Sequence, residues 1–410
     1  MNTRRLALLA LLLSAASLPA ADWTRFRGPN GFGVADEEGV PTTLDEKALA
    51  WKIAVPGRGY SSPVISKGLI FLETATDGGA HRLLLAYDEK TGAEKWRQEL
   101  AGAFTKTHEK SSLASCTPAA DGERVYAVFW TGKEISLGAW DYAGKPLWSK
   151  DLGAYASQHG AGLSPMVADD KVILNIDQDG KAEVVAYDAK TGDVVWQKSR
   201  TPHRASYATP FLMDGKMKPE LIVSSTAGIT SYDPKDGAVN WDWTWTFTSK
   251  MPLRNVAGPL LHNGMLFAVT GDGGGDRHMV AINADGSSKK PVWEKKKGTP
   301  YVPMPLAKGD YVFWIADKEG LGVCVEAKTG REVWNERLGG GAQFFASPVM
   351  VKDTIYAVNE KGSVFAFKAA KKYDLVARSE LGEDVIASPA VANGHIYFRG
   401  EKSLFCFGKK

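Results

Sequence analysis

Short runs in which apolar residues alternate with polar ones fill most of this chain, and each run is closed by Gly, Asp, Asn or Pro. That two-residue period predicts strands, and the punctuation predicts tight turns. The stretch Ala186–Trp196 (AYDAKTGDVVW) sets the pattern: a strand ending at Tyr187, a turn from Asp188 to Gly192, then a strand carrying Trp196. Asp and Thr suit such a turn because their side chains bond nearby backbone N–H groups, and Gly because it tolerates positive φ. The motif returns at Ala86–Trp96, Ser231–Trp241 and Cys324–Trp334. Looser copies stand at Ala139–Trp148 and Ala281–Trp293, and a degenerate one at Ala366–Arg378 has lost both Gly and Trp.

A second marker counts the units independently. A small or apolar residue precedes Pro at Pro63, Pro118, Pro165, Pro210, Pro259, Pro305, Pro348 and Pro389, at intervals of 41 to 55 residues. Proline is tolerated at the first position of a strand. Each unit therefore reads as four antiparallel strands: A after the Pro, B after a polar turn, C ending at the motif Asp, and D bearing the Trp. Four strands per period of this length predict an all-β, eight-bladed β-propeller. The last unit stops at the end of its strand C, near Cys406-Phe407. Leu49–Val55 (LAWKIAV) looks like a D strand lacking its other three. It is expected to complete blade eight and close the ring, with Trp51 as that blade's Trp. The expected organisation is residues 1–21 a signal peptide, 22–47 an N-terminal extension, and 48–410 a single propeller.

The AxDxxTGxxxW repeat, with eight blades, resembles the tryptophan-docking repeat of the PQQ-like propeller superfamily, over roughly residues 45–410. The opening WTRFRGPNGFG (Trp23 to Gly33) is similar to the FRGPxGxG leader of secreted PQQ-like repeat proteins of the planctomycete type. The resemblance spans two functional classes, quinoprotein dehydrogenases and non-enzymatic members of the outer-membrane β-barrel assembly machinery. Fold alone does not choose between them.

Met1–Ala20 has the form of a secretory signal: Arg4 and Arg5, an apolar run from Leu6 to Leu13, then small residues to Ala21. The run is too short to span a bilayer. No Cys follows the cleavage zone, so a lipid anchor is not expected, and the chain reads as periplasmic or secreted. Loss of the signal lowers the net charge from +3 to +1, which gives no general attraction to nucleic acid or anionic membrane. The three cysteines, Cys116, Cys324 and Cys406, are dispersed in apolar strands and read as buried free thiols.

Candidate chemistry falls in the loops before each strand A, which converge on one mouth of the central channel. They carry Arg58, Lys106, His108, Lys110, His159, His203, Arg204, Tyr207, Lys250, Arg254, Asn255 and Gln343, and three of the seven His in the chain. The acids opposing them are Glu109, Glu383 and Asp384. A funnel biased toward positive charge suits a partner's loop or a small anionic or carbohydrate ligand. His203-Arg204 with Tyr207 is the most promising group, because it combines a titratable ring, a forked donor and an aromatic. The expected role is a non-catalytic binding or interaction scaffold, monomeric and without cofactor.

The alternative is a PQQ-dependent dehydrogenase oxidising alcohols or sugars. The resemblance implies for that class a vicinal Cys–Cys ring, an Arg and a stacking Trp on the quinone, a calcium held by Glu and Asn, and an Asp base. This chain has no adjacent Cys pair and few acids in the funnel loops, so PQQ and calcium are not expected. Three weaker signals take bland readings. Asp177–Gly180 reads as a hairpin turn, Gly271–His278 as a hairpin loop on the funnel face, and the alternating Trp241, Trp243 and Trp245 as packing.

Overall fold

Each Pro-marked unit forms a four-stranded antiparallel sheet, and eight such blades surround a central channel in the computed structural model, which describes residues 22–409 except 216, 246–252, 273–275 and 340. The expected signal segment and Lys250 lie outside the described residues. Blade 3 shows the plan: strand A at Met166–Ala168, B at Lys171–Ile176, C at Ala182–Asp188 and D at Val194–Arg200. The ring closes as the terminal strands suggested. Leu49–Ala54 pairs antiparallel with Ser403–Phe407, placing Trp51 opposite Cys406 in blade 8. No sheet edge is left open at the junction of first and last blades.

The repeat motif is a joint between neighbouring blades. In blade 3 the Asp188 carboxylate accepts the Lys190 and Thr191 backbone N–H groups at 2.9 and 2.8 Å, which holds its pKa below the usual carboxylate range. The Gly192 N–H closes the turn on the Asp188 carbonyl at 2.8 Å. The previous blade's Trp148 lies across this turn and donates its indole N–H to the Ala189 carbonyl at 3.1 Å. The same bond links Trp51 to Glu89, Trp96 to Tyr142, Trp196 to Pro234, Trp293 to Ala327 and Trp334 to Ala370. Trp241 differs, because its N–H donates to the Glu220 carboxylate at 2.8 Å. Trp243 and Trp245 pack edge to face at 5.2 Å inside the core of blades 4 and 5.

Glycine is required in this turn for two separable reasons. Gly192 has φ +72°, and a Cβ there would stand 2.7 Å from the Trp148 ring. Gly264 has the same φ of +72° but nothing within 4 Å of the Cβ position. Gly192→Ala is therefore expected to lower unfolding stability by about 2 kcal/mol more than Gly264→Ala, because only the first adds overpacking to backbone strain. Denaturant unfolding of the two variants measures the difference, and equal losses would show that the indole is not docked on the turn.

Hydroxyls before the prolines tie the inner strands together. The Ser62 N–H donates to the Thr117 Oγ1 at 3.0 Å, and the Thr117 N–H to the Ser164 Oγ at 3.0 Å. Across the ring, Met304 N–H reaches Ser347, Ser347 reaches Ser388, and Ser388 returns to Ser62. A small hydroxyl residue at this position thus satisfies a buried backbone donor of the preceding blade. Blade 3 also buries an ion pair. Arg200 on strand D lies 2.8 Å from the wholly buried Asp177, and its other arm donates to the Tyr232 hydroxyl of blade 4 at 2.6 Å.

Residues 22–35 run through the channel. Asp22 accepts from Ser66 and the Lys67 N–H beside blade 1's A–B turn, and Trp23 exchanges backbone bonds with Ile65. Thr24 accepts the Ala120 N–H of blade 2, and Arg25 donates to the Pro210 carbonyl of blade 4 at 2.8 Å. Arg27 donates to Pro348 of blade 7 at 2.7 Å and to Pro305 of blade 6 at 3.2 Å. Burial lowers the pKa of Arg27 to about 9, so it stays charged at neutral pH, held by carbonyl dipoles. Val34–Ala35 then adds a parallel strand to Val349–Val351 of blade 7. The chain spans the channel between opposite blades and blocks it below the loop face.

Candidate functional site

Above this segment the loop face opens into a cavity of about 840 Å³ with Phe26 of the leader in its lining. The loops before strands A supply one part of its wall, and the B–C turns of blades 5 and 6 supply another through Arg277 and Asp317. Phe344 is buried in the core and does not plug the mouth, whereas Tyr60 and Phe345 stand on the wall.

Of the residues singled out from sequence, His108, His159, Arg204, Tyr207, Arg254 and Gln343 line this cavity. Arg58 and Lys106 do not. They line a separate outer pocket of about 910 Å³ beside blade 1. Arg58 still bears on the mouth indirectly, since it donates to the Tyr60 hydroxyl at 2.5 Å. His203 is exposed and off the cavity wall, with its backbone N–H on the Thr226 hydroxyl, so it is parted from Arg204 and Tyr207. Asn255 is wholly buried and stitches blade 4 to blade 5. Its amide donates to the Val269 carbonyl at 2.9 Å, and its side-chain oxygen accepts from Ser206.

Gln158, which sequence reasoning did not single out, joins the two key arginines. Its side-chain oxygen accepts from Arg254 at 2.6 Å and from Arg204 at 3.1 Å. Arg254 is only 3% exposed, and its Nη1 has no hydrogen-bond partner among the described residues. Backbone bonds to Gly271 in both directions hold its strand segment. A buried guanidinium donor is costly unless something accepts from it.

His159 sits beside these groups, its ring edge to face with His108 at 4.7 Å. Burial lowers its pKa to about 4, helped by the nearby Arg254, His108 and Arg204. Tyr207 shares a short hydrogen bond with Ser157, and burial raises its hydroxyl's pKa. On the far wall Arg277 lies 3.4 Å from Asp317 and 4.8 Å from the Tyr301 ring centre. Burial raises Asp317 while Arg277 pulls it down, and burial pushes Tyr301 up to about 12. Lys110 pairs with Glu360 at 2.6 Å over Phe345. Arg277, Asp317 and Tyr301 escaped the sequence reading because each looked like part of an ordinary hairpin or loop. The DRH of the Gly271–His278 loop was the one available signal.

Asp317 and Glu360 are each engaged by a cation, and the three cysteines are buried apart from one another, Cys116 in the loop before blade 2 and Cys324 and Cys406 in strands of blades 6 and 8. Among the described residues no cluster of three or more His, Cys, Asp or Glu has the geometry to hold a metal ion. Glu383 and Asp384 are engaged at the rim with Lys52 and Lys361.

Comparison with known proteins agrees with this architecture. The chain is 25% identical over 247 residues to outer membrane protein assembly factor BamB of Moranella endobia (strain PCIT), covering 48% of this chain and 58% of the relative's length. The crystal structure of BamB from Moraxella catarrhalis superposes with TM-score 0.65 at 15% identity, over 88% of this chain and 97% of that one. The quinohemoprotein alcohol dehydrogenase ADHIIG from Pseudomonas putida HK5 superposes with TM-score 0.60 at 13% identity, over 95% of this chain and 80% of that one. At such identities the two structures speak for the fold alone. A family model of the PQQ_2 type, described as outer membrane protein assembly factor BamB, matches residues 32–137, 82–336, 291–374 and 322–408. With those matches running along the same eight repeats, the chain belongs to the BamB-type PQQ_2 repeat family.

Proposed function

We propose that the protein is an exported, non-catalytic binding scaffold whose loop face receives a partner's loop or a small anionic or hydroxyl-rich ligand in the funnel. The observation that carries this reading is the buried Arg254 on the cavity wall, whose Nη1 has no partner among the described residues and which Gln158 holds beside Arg204. Fixed donors in a low-dielectric recess favour an acceptor-rich guest. The relatives' name, outer membrane protein assembly factor, supports a setting among envelope protein partners. No helix among the described residues is long and apolar enough to cross a membrane.

The test is a thermal-shift and calorimetric screen of oxyanions and sugars, repeated on Arg254→Ala and Arg204→Ala. Arg254→Ala is expected to weaken binding of any oxyanion hit at least about tenfold, the loss of one charged hydrogen bond. Unchanged affinity in both variants would remove the funnel from the proposal. The dehydrogenase reading is favoured only by likeness of fold. Adding PQQ with calcium is expected to leave the absorption spectrum as the sum of its parts, and a stoichiometric change would revive that reading.

A further inference from the structure

We propose that Gln158, His159, Arg204 and Arg254 form an oxyanion site whose filling is coupled to uptake of a proton by His159. This rests on the funnel reading and adds to it the class of ligand and its control by pH. The four residues come from three successive loops, between blades 2 and 3, 3 and 4, and 4 and 5. All four line one cavity. Gln158 holds the two guanidinium groups on a single oxygen, so both positive charges are kept together, and Arg254 adds a buried Nη1 without a partner among the described residues.

His159 reports on that charge. It feels Arg254 and Arg204 from the following loops, His108 from the preceding loop and Asp179 from the B–C turn of its own blade 3. Asp179 is itself bonded to the Ala205 N–H at 2.8 Å. The remaining charged and titratable groups on the wall are Tyr60, Glu109, Lys110, Tyr207, Asp272, Arg277, Tyr301, Asp317 and Lys318. Asp317 faces Arg277, and Lys110 faces Glu360. The imidazole is thus neutral in the empty funnel, its pKa near 4. An oxyanion seated on the two guanidinium groups cancels their share of the shift, while burial, the larger cause, remains. The ring's pKa then rises part of the way toward its ordinary value of about 6.5. By linkage the anion binds the protonated form more tightly. Affinity is level above that value, climbs as pH falls, and levels again below about 4, where the empty site is already protonated.

Sulfate and methanesulfonate are suitable probes, since neither titrates in this range. Calorimetry on the full chain at constant ionic strength should show sulfate binding about tenfold tighter near pH 5 than near pH 7.5, with a smaller gain for the monoanion. His159→Asn is expected to abolish that pH-dependent gain and His108→Asn to keep it. Equal sulfate affinity at both pH values, a gain that survives His159→Asn, or one that vanishes with His108→Asn, overturns the proton coupling and leaves the funnel reading standing. No sulfate binding at either pH overturns the coupling and the anionic half of the proposed function together.

Discussion

Trp23→Ala is expected to lower the unfolding free energy by about 3–5 kcal/mol, whereas Trp23→Phe should lose about 1 kcal/mol or less. The indole is 2% exposed and packs with Ile65 and the hydrophobic cluster shared by blades 1, 7 and 8. Its N–H finds no acceptor among the described residues, so phenylalanine gives up little beyond volume. Alanine leaves a large hole that the rigid inner strands cannot fill. The Gly28 turn that follows is built around the same ring, with its Cβ position 2.9 Å from it. Urea or guanidinium unfolding with constant m-value checks the figure. A loss below about 1 kcal/mol for the alanine variant would mean that the leader rests on the channel without bracing it.

The second large effect lies in blade 3. Arg200→Ala should lose about 3–5 kcal/mol, because it strands the Asp177 carboxylate in a site without solvent. Asn175 would still donate to Asp177 at 3.1 Å, but one neutral amide does not replace a guanidinium that grips both oxygens. The double variant Asp177→Asn/Arg200→Met should recover a large part of the loss, since it removes the lone charge and fills the volume. A double variant as unstable as Arg200→Ala would show that the lost packing against Tyr232, and not the unpaired acid, sets the penalty.

The joint between blades was legible because it is local. Asp, Thr, Gly and Trp sit within one motif, and a single contact, made by six indoles around the ring, explains it. Closure by Leu49–Ala54 was legible because an orphan D pattern at one end matched a missing D at the other. The leader was recognisable as a motif but not as a crossing strand. The partners of Arg25 and Arg27 are prolyl carbonyls up to 321 residues away, and nothing local marks them. The funnel was half legible. Its charges could be assigned to the loop face, but a loop's sequence does not say which way each side chain turns. Arg58 and Lys106 therefore went outward, His203 went to solvent and Asn255 into the seam between blades. Gln158 escaped notice because an amide in a loop carries no signal until two arginines from other blades meet on it.

The leader's path through the channel has a consequence for traffic. An unobstructed propeller is a tube, through which a solute can enter at one end and leave at the other. With Trp23, Arg25, Phe26 and Arg27 fastened between opposing blades, the interior becomes a cup. A guest must leave by the rim it entered, past Tyr60 and Phe345. A protein docked on that rim would then be a lid as well as a partner: it could trap a guest already inside, and a guest too large for the cup would bar it from docking.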